Sequence, residues 1–238
     1  RGAQYHLEDY IPQPESTSQL YYRFITTGIG AFDAWSSDAF GNSKIIAAIP
    51  DAVTFPPITH YVLPDSSMSI VDSWACSPHV LTVGNYNNVT LYQDVFGNTQ
   101  DLGGVPGVIA AASSRGPSRL GVVKPDVAAP GDVTFSPGPL SLLQFWIANN
   151  LGSKISTDSL HMRNGGTSIA SPVVAGTAAL LLQKCPRATA DMVRNAINGS
   201  AFADEHTGTL PNQRFGHGKV NAFAALVSTN VAVPITGD

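Results

Sequence analysis

The feature that most constrains the fold is a run of small residues that ends in a serine and leads into an apolar segment. The run is Gly165-Gly166-Thr167-Ser168-Ile169-Ala170-Ser171-Pro172, and residues 173–183 follow it. We expect a helix to begin at Ser168 and to be buried on all sides, because apolar residues occupy nearly every position. Unpaired N–H groups and the positive dipole end at a helix start stabilise negative charge. Ser168 therefore suits a nucleophile whose reaction creates an oxyanion.

The composition favours one large α/β domain. The chain has 238 residues, of which 43% are hydrophobic and only 13% are charged, so it can bury a sizeable core. The net charge is −4, and no Lys/Arg run indicates a nucleic-acid partner or an anionic membrane surface. No apolar run reaches the roughly 18 residues that a membrane span requires. We therefore expect no nucleic-acid partner and no membrane span.

The character of the sequence changes near Ile70, and this divides the chain into two parts. We expect a β-rich segment at residues 1–67, where residues 20–25 and 29–35 have the pattern of a hairpin. Residues 68–238 form the second part. There, residues 80–84 have the continuous apolar pattern of a central strand of a parallel sheet, with a loop following from Asn85.

Helices are expected to dominate after Ser168. Thr189 can cap a second helix that extends to Ile197, and residues 222–227 form a third. Residues 140–151 fit either a short helix or a pair of strands. Cys76 and Cys185 are the only cysteines. A disulfide between them is one alternative, and we favour the other, two separate buried thiols.

The run around Ser168, together with residues 174–176, resembles the nucleophile signature of the subtilisin-like serine proteases. Three further stretches match the pattern of that family in its order: residues 80–84, residues 113–117 with 124–131, and residues 218–222. The resemblance covers about residues 70–226. It implies a subtilisin-like α/β fold, a parallel sheet with flanking helices that is incomplete in this chain. Residues 68–238 would be the carboxyl-terminal part of the peptidase domain, and residues 1–67 the end of an insertion.

The resemblance also assigns roles to the residues of the run. Ser168 takes the place of the nucleophile, and its own N–H would donate to the oxyanion. Thr167 would help to hold that oxyanion. Gly165 and Gly166 would leave room for the backbone of the substrate, although the family often has Asn at the position of Gly165. Pro172 and Gly176 would permit close packing of the helix.

The other catalytic groups of the family are absent from this sequence. No His-Gly-Thr-His type motif supplies a general base, and no Asp-Thr-Gly or Asp-Ser-Gly type motif supplies the orienting aspartate. The asparagine that serves as the second oxyanion donor is also missing. The histidines are His6, His60, His79, His161, His206 and His217. We interpret His79 and His217 as packing, surface or turn residues, and His161 as too close to Ser168 along the chain to be the base.

We therefore expect the missing groups to lie on chain upstream of Arg1. In subtilisin, loss of the base lowers turnover by about 10⁶, so Ser168 alone is expected to be nearly inert. The alternative function is a pseudoprotease module that binds peptides without cleaving them. A lipase or esterase does not fit, because a nucleophile elbow has Gly two residues after the serine, and this chain has Ala170. A carboxyl-type serine peptidase would need an upstream glutamate as its base.

The remaining expectations concern ligands and location. No zinc spacing and no calcium-loop pattern occurs, so we expect no cofactor, and the calcium that members of the family often hold has no identified ligands here. The expected partners are a polypeptide substrate and the missing amino-terminal half of the domain. The resemblance alone implies a secreted or periplasmic location.

Overall fold

The computed structural model describes residues 29, 51–54, 56, 68–72, 74–118 and 120–228. The chain divides into two units, Arg1–Leu63 and Pro64–Asp238, and every helix and strand reported below lies in the second. The hairpin predicted at residues 20–35 lies outside the described residues, as does nearly all of the predicted β-rich segment. The boundary between residues 67 and 68 remains a prediction.

Six strands and four α-helices are present in the described residues. The strands are β1 (Val83–Asn87), β2 (Leu91–Gln93), β3 (Thr99–Asp101), β4 (Val127–Asp132), β5 (Thr134–Pro137) and β6 (His161–Asn164). The helices are α1 (Leu140–Ala148), α2 (Thr167–Lys184), α3 (Ala190–Ser200) and α4 (Ala222–Ser228). None of these described helices is long and apolar enough to cross a membrane.

A parallel pair of strands, β1 and β4, forms the centre of the second unit. Val83 pairs with Val127, and the register continues to Tyr86 and Pro130. Side chains alternate between the two faces of a strand, so β4 contributes to two clusters. Val127 and Ala129 pack with α2, α3 and α4, whereas Ala128 packs on the opposite face. The predicted α/β fold, a parallel sheet with flanking helices, is confirmed.

The central strand begins three residues later than the sequence predicts. The prediction placed it at residues 80–84 and a loop from Asn85, but β1 covers Val83–Asn87. Asn85 is 1% exposed, and its Nδ2 donates a hydrogen bond to Asp132 Oδ2 at 2.7 Å. A buried asparagine is stable in a strand when its amide has such a partner. The loop prediction at Asn85 is therefore wrong.

A hairpin with a helical insertion connects the sheet to α2. Strands β5 and β6 are antiparallel, with Thr134 opposite Asn164 and Pro137 opposite His161. Helix α1 lies between them, and its Leu143 is fully buried. Of the two alternatives for residues 140–151, the helix is the correct one.

The carboxyl-terminal helices follow the predicted pattern. Thr189 caps α3, because its side chain accepts a hydrogen bond from the N–H of Met192. That helix ends three residues after the predicted end at Ile197, and α4 extends one residue beyond the predicted 222–227. Both cysteines are free thiols, as predicted, with Cys185 buried and Cys76 partly buried.

Candidate active site

A glycine turn connects β6 to the helix that carries Ser168. Asn164 ends β6, and Gly165 and Gly166 follow it. Gly166 has φ of 93°, a left-handed conformation that glycine adopts without steric cost. Its carbonyl accepts hydrogen bonds from the N–H groups of Ile169 at 3.0 Å and Ala170 at 3.2 Å. Gly166 is therefore the N-cap of α2.

Ser168 is the second residue of α2, which begins at Thr167, one residue earlier than predicted. The N–H groups of Ile169 and Ala170 donate to Gly166, whereas those of Thr167 and Ser168 come before the first helical hydrogen bond and have no partner within the helix. Ser168 is exposed and Thr167 is half-buried, while Gly165 is exposed. The hydroxyl of Ser168 is thus accessible beside a helix N-terminus, as a nucleophile that generates an oxyanion requires.

Only one face of α2 is buried by the described residues. Ala170, Val174, Thr177 and Leu181 recur at helical spacing and face the sheet and the neighbouring helices. Other residues of the helix are exposed. Near Ser168 they form a small-residue face, made up of Ser168, Ser171, Pro172, Ala175, Gly176 and Ala179, and further along the helix they are Leu180, Leu182, Gln183 and Lys184. The prediction that α2 is buried on all sides is therefore wrong for the described part of the chain. An apolar composition predicts burial, but burial also needs an element to cover each face.

The packing role expected for Gly176 is not fulfilled within the described residues. A methyl group added to Gly176 would meet no atom within 4 Å. Close helix packing at a glycine would instead leave no room for that methyl group. The position is open to a further element.

The four described histidines do not partner Ser168. Nδ1 of His161 lies 2.5 Å from Asp158 Oδ2, and Nε2 of His206 lies 3.6 Å from a carboxylate oxygen of Glu205. His79 and His217 are exposed, as the surface interpretation predicts. His6 and His60 lie outside the described residues. No hydrogen bond in the described part of the chain joins a histidine to the hydroxyl of Ser168.

The pair of Asp158 and His161 has the geometry of an oriented histidine, but it lies away from Ser168. Hydrogen bonds from the hydroxyl of Ser156, the N–H of Leu160 and the ring of His161 hold the pKa of the Asp158 carboxyl well below its usual range. His161 is at the end of the hairpin opposite to Asn164. They are three residue positions apart along the strand, which corresponds to about 10 Å.

Sequence reasoning missed two polar residues beneath the glycine turn, Asn85 and Asp132. Asn85 donates to Asp132, and a methyl group added to Gly165 would lie 2.7 Å from Asp132 Oδ1. The N–H of Asn85 also donates to the hydroxyl of Ser113, which is 1% exposed. The signal in the sequence was an Asn directly after an apolar run and an Asp directly after Pro130-Gly131. The sequence around Asn85 does not indicate that it pairs with Asp132, and the sequence around Asp132 does not indicate Asn85.

The described residues offer no cluster of acidic, histidine or cysteine side chains that could hold a metal ion. The absence of a cofactor stays a prediction, and the calcium that members of the family often hold has no ligands assigned here.

This chain matches one protein-family model and several known proteins. The model of the subtilase family matches residues 38–218. Subtilisin-like protease SBT3 of Solanum lycopersicum is 36% identical over 102 residues, which cover 42% of this chain and 13% of that protein. Serine protease AprX of Bacillus subtilis is 37% identical over 116 residues, which cover 48% of this chain and 24% of that protein. The chain thus spans a quarter or less of the length of these relatives.

Among solved structures, the chain is similar to fervidolysin from Fervidobacterium pennivorans, described as a keratinolytic enzyme related to subtilisin. The sequence identity is 26% and the TM-score is 0.42, over 64% of this chain and 20% of that one. The CspB protease of Clostridium perfringens matches with 22% identity and a TM-score of 0.45, over 67% of this chain and 29% of that one.

Proposed function

The chain belongs to the subtilase family, and on this premise we propose that Ser168 is the nucleophile of a serine endopeptidase. The observation that carries the proposal is the exposed hydroxyl of Ser168 at the second position of α2, directly after the glycine turn. A helix start supplies unpaired N–H groups beside that hydroxyl. These groups support a role in stabilising the charge that forms when a carbonyl is attacked.

The proposed reaction proceeds in two steps. Oγ of Ser168 attacks the carbonyl carbon of a peptide bond while a base accepts the hydroxyl proton, and that proton passes to the departing amine. Water then hydrolyses the acyl-enzyme. The N–H of Ser168 and the side chain of Thr167 would hold the oxyanion. Gly166, where an added methyl group would meet no atom within 4 Å, would leave space for the substrate backbone, whereas the side-chain position of Gly165 faces Asp132 Oδ1.

We propose that the base, the orienting aspartate and the second oxyanion donor lie on polypeptide upstream of Arg1. Two observations support this. No hydrogen bond joins a described histidine to Ser168, and the small-residue face of α2 beside Ser168 is not covered by any described residue. A segment that covers this face would be positioned to place a base next to the hydroxyl. The 238-residue chain by itself would then be nearly inactive.

The proposed substrate is a polypeptide, and the proposed location is secreted or periplasmic, which rests on family membership alone. No cofactor enters the proposed reaction. A pseudoprotease that binds peptides without cleavage remains the alternative, and it would share the glycine turn and the helix start.

The test is to extend the chain upstream of Arg1 with the residues of its own reading frame and to measure hydrolysis of fluorescein-labelled casein. We expect hydrolysis by the extended protein and its loss on Ser168→Ala. Ser171→Ala is the matched control, because Ser171 is exposed on the same face of α2 one turn further on.

The outcomes separate the two functions. Activity that survives in Ser171→Ala and disappears in Ser168→Ala supports the endopeptidase. An extension that contains both a candidate base and an aspartate but shows no Ser168-dependent hydrolysis overturns it. An extension that lacks both groups and binds labelled casein without cleavage establishes the pseudoprotease.

A further inference from the structure

A buried asparagine and a carboxylate lie next to the glycine turn. Asn85 lies in β1 and Asp132 ends β4, and they are 47 residues apart in the sequence. The bond from Asn85 Nδ2 to Asp132 Oδ2 is 2.7 Å long. The Asn85 side chain is almost fully buried, so the pair joins two parallel strands beneath the turn.

The carboxylate of Asp132 contacts the turn through its other oxygen. While Oδ2 accepts the bond from Asn85, Oδ1 faces Gly165, where an added methyl group would lie only 2.7 Å away. A side chain at position 165 would therefore require the carboxylate of Asp132 to shift.

The amide oxygen of Asn85 contacts the same region. A methyl group added to Gly131 would lie 2.4 Å from Asn85 Oδ1 and 2.6 Å from the carbonyl oxygen of Gly166. The two oxygens therefore lie on the same side of Gly131, in the direction of one Cα hydrogen, and a side chain at position 131 would displace them. Gly166 is also the N-cap of α2, so its position fixes the start of the helix.

Asn85 Oδ1 has no N–H or O–H donor among the described residues, although the side chain is 1% exposed. A buried amide with an unpaired oxygen carries an energetic cost that an apolar residue would avoid. Valine and alanine occupy neighbouring buried positions of β1 and β4, so apolar side chains are accommodated in this part of the sheet. The Asn85–Asp132 pair is better explained by an effect on the position of the glycine turn than by a contribution to core packing.

We propose that Asn85 and Asp132 are positioning residues that hold the turn at Gly165 and Gly166, and through it the direction of Ser168. They act through the backbone and touch no reacting atom. The catalytic consequence of this inference rests on the proposed function, whereas its structural part does not.

The structural test measures backbone ¹⁵N order parameters of residues 165–168 in the full 238-residue chain. We expect values near the 0.85 of rigid backbone in the native protein and below about 0.6 in Asp132→Ala. Asp132→Asn should restore rigidity, because its amide oxygen can accept the bond from Asn85. The matched control is Ser136→Ala, which removes the 2.8 Å bond from Asn164 Nδ2 on the same hairpin without touching Gly165.

If Asp132 only stabilises the fold, Asp132→Ala will have a lower melting temperature but a rigid turn. That result would overturn the inference. If Asp132→Ala does not fold, Asn85→Ala provides the same measurement, since it removes the donor and leaves the carboxylate. A rigid turn in whichever variant folds would also overturn the inference.

The catalytic test uses the extended protein described above. Asp132→Ala should lower kcat by about tenfold or more with KM unchanged, because the lost alignment acts on the chemical step. Asp132→Asn should recover most of kcat. An unchanged kcat despite a mobile turn would overturn the catalytic part. Absence of any Ser168-dependent hydrolysis, together with the expected order parameters, would instead refute the proposed function and leave the structural inference standing.

Discussion

Nζ of Lys124 lies 2.8 Å from Oδ2 of Asp126, and the lysine side chain is fully buried. The same ammonium donates to the carbonyl of Val80 at 2.7 Å, and the N–H of Thr82 donates to Asp126 at 2.7 Å. The pair therefore connects the segment before β1 to the segment before β4. Removing one member of a buried ion pair leaves an uncompensated charge, which costs about 3–5 kcal/mol.

We expect Lys124→Met to lower the free energy of unfolding by about 3 kcal/mol, the lower end of that range, because Asp126 keeps the bond from Thr82. Urea denaturation measures the change. Lys154→Met is the control, since Lys154 is exposed and its loss should change stability by less than about 0.5 kcal/mol. Equal stability of the Lys124 variant and the native chain would refute the structural role of the pair.

Gly165 and Asp132 should be energetically coupled. Gly165→Ala places a methyl group 2.7 Å from Asp132 Oδ1 and should destabilise the protein by about 1–3 kcal/mol. In the Asp132→Ala background the obstructing oxygen is absent, so the same substitution should cost less. A double-mutant cycle by urea denaturation should give a coupling free energy of at least 0.5 kcal/mol, in the range typical of contacting residues. Additive effects would show that the carboxylate does not limit the space at Gly165.

The pattern of the sequence was sufficient for the fold class and for the helix that carries Ser168, because both depend on local periodicity and local motifs. It was insufficient for β1 and for the burial of α2. Asn85 is a strand residue because of a partner 47 residues away, and no local pattern contains that partner. The apolar composition of α2 is equally compatible with burial of all its faces and with burial of one face. Only the packing of the described elements shows which face is covered.

The carboxyl group of Asp204 should contribute to acid sensitivity. Burial raises its pKa, but hydrogen bonds from Lys219 and from the N–H of His206 outweigh burial and lower the pKa below the ordinary 3.8. Its stabilisation is therefore present above pH 3.8 and is lost as the pH falls through the lower pKa of the folded state. Nζ of Lys219 lies 2.5 Å from Asp204 Oδ2.

We expect Asp204→Asn to reduce stability at pH 7 and to weaken its dependence on pH below about pH 4. Thermal unfolding across pH 2.5–7 measures both effects. Asp191→Asn is the control, because its bond to Arg194 lies at the surface and should be worth little. The same pH dependence in Asp204→Asn as in the native chain would contradict the assignment.

The cap of α3 provides a local test of the helix assignment. Thr189 accepts a bond from the N–H of Met192 at 3.3 Å, and Thr189→Ala leaves that donor without its partner. We expect a loss of about 1 kcal/mol in the free energy of unfolding. Thr157→Ala, at an exposed position outside the helices, should change stability far less. Equal effects of the two substitutions would argue against the cap.

The proposed function assigns Ser168 as a nucleophile whose base lies upstream of Arg1. The most direct measurement is the rate at which the purified 238-residue chain hydrolyses fluorescein-labelled casein, compared with its Ser168→Ala variant. We predict a rate about 10⁶ below that of an intact subtilisin, with little difference between the two proteins. Hydrolysis at an ordinary enzyme rate that Ser168→Ala abolishes would contradict the claim, because the chain would then contain its own base.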